Sequence, residues 1–180
     1  MQGQFYNRGN NLKVKRVDID ELVKRFENTQ NFRLLDVGAF VFVGPAGAVL
    51  TKSVDYANLL NMNTGDSTLI TDFITEIKIE HGIAAIEDMA FSTQKNLITF
   101  DGRIDLNRQY FVDFIIAIVD KDGCIIISQK LNGPFAQPAL EKFSTIGTVL
   151  APIRNIYNSV VGNQCTPFYS GEITHPEVKN

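Results

Sequence analysis

Tryptophan is absent from this chain, and histidine and cysteine occur only twice each. That scarcity excludes most metal chemistry. His81 stands before a glycine and His175 near the C-terminus, and neither belongs to a Cys/His cluster at zinc-ligand spacing. With histidine at these two places only, a Ser-His-Asp triad has no support in the sequence. A G-x-S-x-G elbow, a P-loop and a G-x-G-x-x-G turn are all missing. The pairs Glu87-Asp88 and Glu76/Glu80 read more simply as a solvated strand face or turn than as catalytic carboxylates. The expectation is a protein with no catalytic residue, no metal and no cofactor.

Positive charge is also not in excess. Seventeen Lys and Arg face twenty Asp and Glu, for a net charge of −3. Phosphate binding needs a basic face, so nucleic acid is not expected as a partner. No apolar run is long enough to cross a bilayer. The longest, Val37 to Leu50, is interrupted by Gly44-Pro45 and Gly47. Met1 to Lys15 is polar and lacks the apolar core of a signal peptide.

What is present is ordinary globular material, 44% hydrophobic and 21% charged, which argues against disorder. The 180 residues suit one domain with a sizeable core. Thirteen phenylalanines supply aromatic mass without a polar handle.

Leu12 to Val17 reads as a strand. Asp18 then stands where an N-cap belongs, with Glu21 at capping-box spacing, and Ile19, Leu22, Val23 and Phe26 fall on one helical face. An apolar, glycine-rich stretch over 34–60 becomes helix-like from Ala46. A β-meander follows over 68–132. In its first strand Leu69, Phe73, Ile77 and Ile79 share parity. His81-Gly82 and Asn107-Arg108 mark turns, and Asp120 to Gly123 suits a type I turn with a glycine bulge. Over 110–119 both parities are apolar, so both faces of that strand need cover. Over 138–162 a stripe of Phe143, Ile146, Leu150, Ile153, Tyr157 and Val160 predicts an amphipathic helix, with Ser144 as a possible cap and Pro152 as a kink. A last aromatic strand is expected over 165–173. The fold class is therefore α+β: a curved antiparallel meander of about six strands, covered on one face by amphipathic helices.

Several pieces occur in one order across roughly residues 30 to 173. They are Asp36-Val37-Gly38-Ala39-Phe40, Gly44-Pro45, Thr51-Lys52, Asp55-Tyr56-Ala57, Gly123-Cys124, Gly133-Pro134-Phe135 with Pro138 and Glu141-Lys142, Ala151-Pro152, and Cys165 followed by Phe168-Tyr169-Ser170-Gly171. The ordered set resembles the C-terminal region of the AsmA family of bacterial envelope proteins. The resemblance implies the C-terminal part of a periplasmic protein with a long β-groove, involved in outer-membrane assembly and phospholipid transport. It also implies an inner-membrane anchor in an upstream segment, with Met1 the start of a fragment.

Counting alone leaves two cysteines open to either a disulfide or buried free thiols. The resemblance implies a Cys124–Cys165 disulfide, which would close about 40 residues and contribute about 4 kcal/mol by chain entropy. It also implies that the apolar strand residues Phe73, Ile77, Ile98, Phe100, Ile104, Phe114, Ile116 and Ile118 line a groove for acyl chains. On residue type alone the same side chains read as ordinary core. Two functions are carried forward. One is a lipid-handling module whose partner is a phospholipid or other membrane lipid. The other is a structural or docking cap that contacts envelope or outer-membrane proteins without lipid.

Overall fold

Alternation of apolar and polar side chains draws most of the described chain into one antiparallel sheet. The computed structural model describes residues 2–15, 18–21, 23–24, 67–140, 144–145 and 165–178. Six long strands make up the sheet: β1 Gln2–Lys15, β2 Ser67–Glu80, β3 Ile83–Ser92, β4 Leu97–Asp105, β5 Tyr110–Val119 and β6 Ile125–Pro134. Two short strands, β7 Ala139–Leu140 and β8 Ser144–Thr145, both pair with β6. The order is sequential from β1 to β7, and β8 lies off this path beside β6.

The turns follow from residue type. Between β2 and β3 the chain reverses over His81 and Gly82, with φ of 52° and 84°. Positive φ at both central residues is the twist a two-residue hairpin requires. Between β5 and β6, the Gly123 amide donates to the Asp120 carbonyl at 3.0 Å, and the Asp120 carboxylate accepts from the amides of Asp122 and Cys124 at 3.0 and 2.9 Å. Gly123 has φ of 77°, and the register slips between Ile118 and Val119. This is the type I turn with glycine bulge read from Asp120 to Gly123. Register shifts interrupt each pairing from β2–β3 through β5–β6. Such bulges bend strands and increase their twist.

The expected α+β class is corrected. The described residues are nearly all antiparallel sheet, with no helix of seven or more residues, and among them no amphipathic helix of that length covers the meander. The helix expected from 138 does not start there. The Gln137 amide donates to the Pro134 carbonyl at 3.0 Å, which turns the chain back so that Ala139 and Leu140 pair with Asn132 and Leu131. Ser144, read as a possible helix cap, is a strand residue opposite Ser128. The stripe from Ile146 to Val160, with Phe143, lies outside the described residues, as does the 34–60 segment. Residues 165–173 form no strand. They run as an irregular segment held by side chains, ending in a 3₁₀ turn at Pro176–Val178.

One short helical piece is described. Ile19 to Glu21, Val23 and Lys24 are helical, and the Asp18 carboxylate accepts from the Glu21 amide at 2.9 Å. Asp18 is thus the N-cap its sequence position suggested. The Ile19 amide donates to Thr68 Oγ1 at 2.7 Å, and Asp20 accepts from Thr93 Oγ1 and Asn96 Nδ2 at 2.5 and 2.7 Å. These bonds fix the helical turn over the β3–β4 end of the sheet.

Candidate functional site

The antiparallel register places the apolar side chains in rows that cross the sheet. Phe73, Phe91, Ile98, Ile118 and Ile127 lie opposite one another in sequence, as do Thr75, Met89, Phe100 and Ile116. A third row runs Ile79, Ala84, Ile104 and Phe111, and a fourth joins Phe5, Ile77 and Ile86. Directly opposed residues share a face, so these rows make one continuous apolar surface.

That surface has two ends. At the β3–β4 end, Ile98, Phe100, Phe114, Ile116 and Ile118 are buried in a cluster with Phe91, Ile127 and Leu131, and Ile19 and Val23 of the helical turn belong to it. Five of the eight residues expected to line a groove are therefore core, with side chains of the same chain over them. Toward the His81 and Asn107 turns the cover thins. Ile104 is only partly buried there, with Ile86 and Phe111, and Ile77 is partly buried opposite Ile86; Met89 and, at the β2 end of the first row, Phe73 are partly buried as well. Tilted ring contacts connect the two ends. Phe91–Phe100, Phe100–Phe114, Phe111–Phe114 and Phe111–Phe135 have centroids 6.2, 6.3, 5.3 and 4.7 Å apart.

At this thinly covered end the reverse face is charged. Lys78 pairs with Glu80 at 3.0 Å, and Asp113 with Lys130 at 2.7 Å and Arg103 at 3.9 Å. The Lys130 ammonium, by hydrogen bond and charge, holds the Asp113 carboxyl below the usual carboxylate range. The end of the sheet is thus amphipathic, apolar on one side and ionic on the other. Ile86, Met89 and Phe111 were absent from the sequence-based set. The bulges between Ala85 and Met89, and between Phe111 and Phe114, shift parity there, and no sequence signal locates a bulge of this kind.

Toward the β3–β4 end, the reverse face is apolar too. Ile74, Ala90, Leu97, Ala117 and Val119 are buried there with Ile173, and Phe168 and Tyr169 pack beside them. Both faces of β5 are buried over Ile116 to Val119, while from Tyr110 to Val112 the strand is only partly buried and Asp113 is exposed. The expected cover by Phe143, Leu150 and Ile153 falls outside the described residues.

The covering segment 165–178 is fastened at several points. Cys165 is bonded to Cys124, with Cα atoms 6.1 Å apart. The Gly123 carbonyl accepts from the amides of Phe168 and Tyr169 at 2.8 and 3.2 Å. Asp88 accepts from the Tyr169 hydroxyl and the Glu172 amide, both at 2.9 Å, and Glu172 pairs with Arg8. Burial, with the Asp88 carboxylate adjacent, raises the Tyr169 phenol far above its ordinary value.

The carboxylates considered from sequence are occupied structurally. Glu76 accepts from Gln4 at 2.7 Å, Glu80 pairs with Lys78, and Asp88 holds the C-terminal segment. His81 is in its turn, and His175 is buried, its Nδ1 accepting from the Glu177 amide at 3.2 Å. Among the described residues no group of three or more His, Cys, Asp or Glu is placed to hold a metal, and no helix is long and apolar enough to cross a membrane.

Fold and site together define an antiparallel β-sheet protein with one amphipathic, thinly covered end and a disulfide-fastened C-terminal strap. No family model, curated protein or solved structure matches the chain.

Proposed function

We propose that this chain is a non-catalytic lipid-handling module of the bacterial cell envelope, the C-terminal part of an AsmA-like protein anchored in the inner membrane. Acyl chains lie against the partly buried apolar rows, and headgroups stay at the solvated rim. The observation that carries this reading is the continuation of the apolar face beyond the helical turn through Phe73, Ile77, Ile86, Met89, Ile104 and Phe111. Acyl chains bind such a surface by area removed from water, and no reacting group is needed. The ordered sequence resemblance adds the periplasmic location and the phospholipid.

The test is lipid extraction and mass spectrometry of protein purified from an oxidising compartment, for the wild type and for Ile104→Lys and Ile118→Lys. Phospholipid should accompany the wild type and be lost from a still-folded Ile104→Lys. Ile118→Lys should fail to fold, because its site is fully enclosed by protein. A wild type without lipid, or Ile104→Lys retaining it, would overturn the reading.

A second reading, a docking cap without lipid, is favoured by one observation. Ile98, Phe100, Phe114, Ile116 and Ile118 are core residues, so only the outer rows remain for a ligand.

A further inference from the structure

Strand β1 differs in kind from the rest of the sheet. It is 14 residues long, and all of them except Gly9 and Val14 are exposed. It is the outermost strand, and among the described residues only β2 pairs with it. Among the described residues, one whole edge of the sheet therefore presents backbone N–H and C=O groups with no strand beside them. Such an edge is a template for another strand.

Side chains along β1 restrict what that strand is. Phe5, Tyr6 and Leu12 are 51%, 53% and 44% exposed, an unusual load of apolar surface on an edge. Phe5 lies in the row with Ile77 and Ile86, so a strand laid beside β1 would extend the same apolar face. All charges on β1 are positive: Arg8, Lys13 and Lys15, with no Asp or Glu. Arg8 pairs with Glu172, and Lys13 and Lys15 form no ion pair with a described residue. Like charges opposite one another oppose pairing and opposite charges favour it, so a second copy of β1 is disfavoured and an acidic strand is favoured. β2 alternates apolar residues with Asp72, Glu76 and Glu80 against one Lys78, and its Glu76 accepts from Gln4 of β1 at 2.7 Å.

We propose that the free edge of β1 is a docking site for an extended, net-acidic polypeptide strand whose apolar and acidic side chains alternate, as they do in β2. The strand adds to the sheet by main-chain hydrogen bonds. Its apolar side chains continue the row through Phe5, and its carboxylates meet Lys13 and Lys15. This inference is independent of the lipid reading, since it concerns the edge and not the apolar rows within the sheet.

The experiment uses the full 180-residue chain and a labelled peptide with the β2 sequence, Ser67–Glu80. Saturable binding that weakens as salt rises is expected. A peptide with Asp72, Glu76 and Glu80 replaced by lysine should bind at least about tenfold more weakly, and so should the Lys13→Glu/Lys15→Glu protein. Tyr6→Pro and Asn7→Pro form the structural control. Adjacent N–H groups point to opposite edges, so one proline breaks the ladder with β2 while the other removes only an outward donor. Whichever variant keeps the fold should lose the peptide. Hydrogen exchange should show new protection in β1 with β2 still protected, which separates edge addition from displacement of β2. The proposal is overturned by absence of saturable binding, by equal binding to the charge-reversed peptide, by undiminished binding to the folded proline variant, or by a wild type that dimerises through this edge.

Discussion

Single residues decide how the C-terminal strap closes on the sheet, and Gly123 is the clearest. It serves the β5–β6 turn with φ of 77°, and a Cβ there would stand 2.2 Å from the Tyr169 carbonyl oxygen. Gly123→Ala should therefore cost about 2 kcal/mol or more, combining left-handed strain with displacement of the strap. Gly3→Ala is the comparison, since nothing lies within 4 Å of its Cβ position. It should stay within about 0.5 kcal/mol of wild type in urea denaturation. Tyr169 makes a prediction in pH. Its phenol is raised in the folded chain by burial first, with Asp88 adding to it. Stability from this group is complete below the unfolded value of about 10 and is lost as pH rises beyond it. The urea midpoint of the wild type should fall relative to Tyr169→Phe above about pH 10, and a constant difference would contradict the assignment. His175 is only 7% exposed, so His175→Ala should cost measurable stability, while exposed His81 should tolerate alanine.

Elements were legible where alternation and turn residues agreed. Strands β2 to β6 fall where period-two patterns lie between His81-Gly82, Asn107-Arg108 and the Asp120–Gly123 turn. β1 was read only from Leu12, because its first residues lack apolar alternation. Residues of that kind pair at an edge mainly through the backbone, and no face pattern announces them. In β2 the face read as Leu69, Phe73, Ile77 and Ile79 leaves out Ile70 and Ile74, both fully buried: Ile70 joins the cluster that Phe73 packs against, and Ile74 the cluster on the reverse face, since this strand is covered on both sides at one end. Covered ends erase the contrast between parities that the sequence reading depends on. The candidate site was legible as a face, through Phe73, Ile77 and Ile104, but its depth was not. Burial of its other members depends on Ile19 and Val23, distant in sequence. For β5 this reverses the natural expectation about charge. Ile116 is 1% exposed, so Ile116→Lys should cost several kcal/mol and unfold the chain. Ile115 is partly buried between Asp101 and Lys130, so Ile115→Lys meets a carboxylate on one side and a like charge on the other, and should cost less than Ile116→Lys and leave a folded protein. Circular dichroism melts of the two variants distinguish the faces.

At the scale of the whole molecule, segments distant in sequence from the meander close its two faces. The helical turn at Ile19 and Val23 covers one, and the strap at Phe168, Tyr169 and Ile173 covers the other. The first is held by hydrogen bonds to Thr68, Thr93 and Asn96, and the second also by the Cys124–Cys165 bond. That bond spans 41 residues of sequence, and closing such a loop contributes about 4 kcal/mol in the chain-entropy picture. Strap and sheet also share the Asp88 carboxylate, the Gly123 carbonyl and the buried Ile173, so loss of the bond leaves local attachments in place. Two effects should therefore separate. Cys124→Ser/Cys165→Ser should lower the melting temperature by roughly 8 to 16 °C, following the usual relation between free energy and Tm for a chain of this size. Near room temperature the strap should remain docked, so Ile74, Ala117 and Val119 stay covered and proteolysis between 165 and 178 stays slow. Removing Asp88 as well should release it, because the Tyr169 hydroxyl and Glu172 amide then lose their acceptor on the sheet. Asp88→Ala in the cysteine-free chain should become sensitive to protease in this segment while its β-sheet circular dichroism persists. Rapid cleavage in the cysteine-free chain with Asp88 intact would mean that the disulfide alone holds the strap.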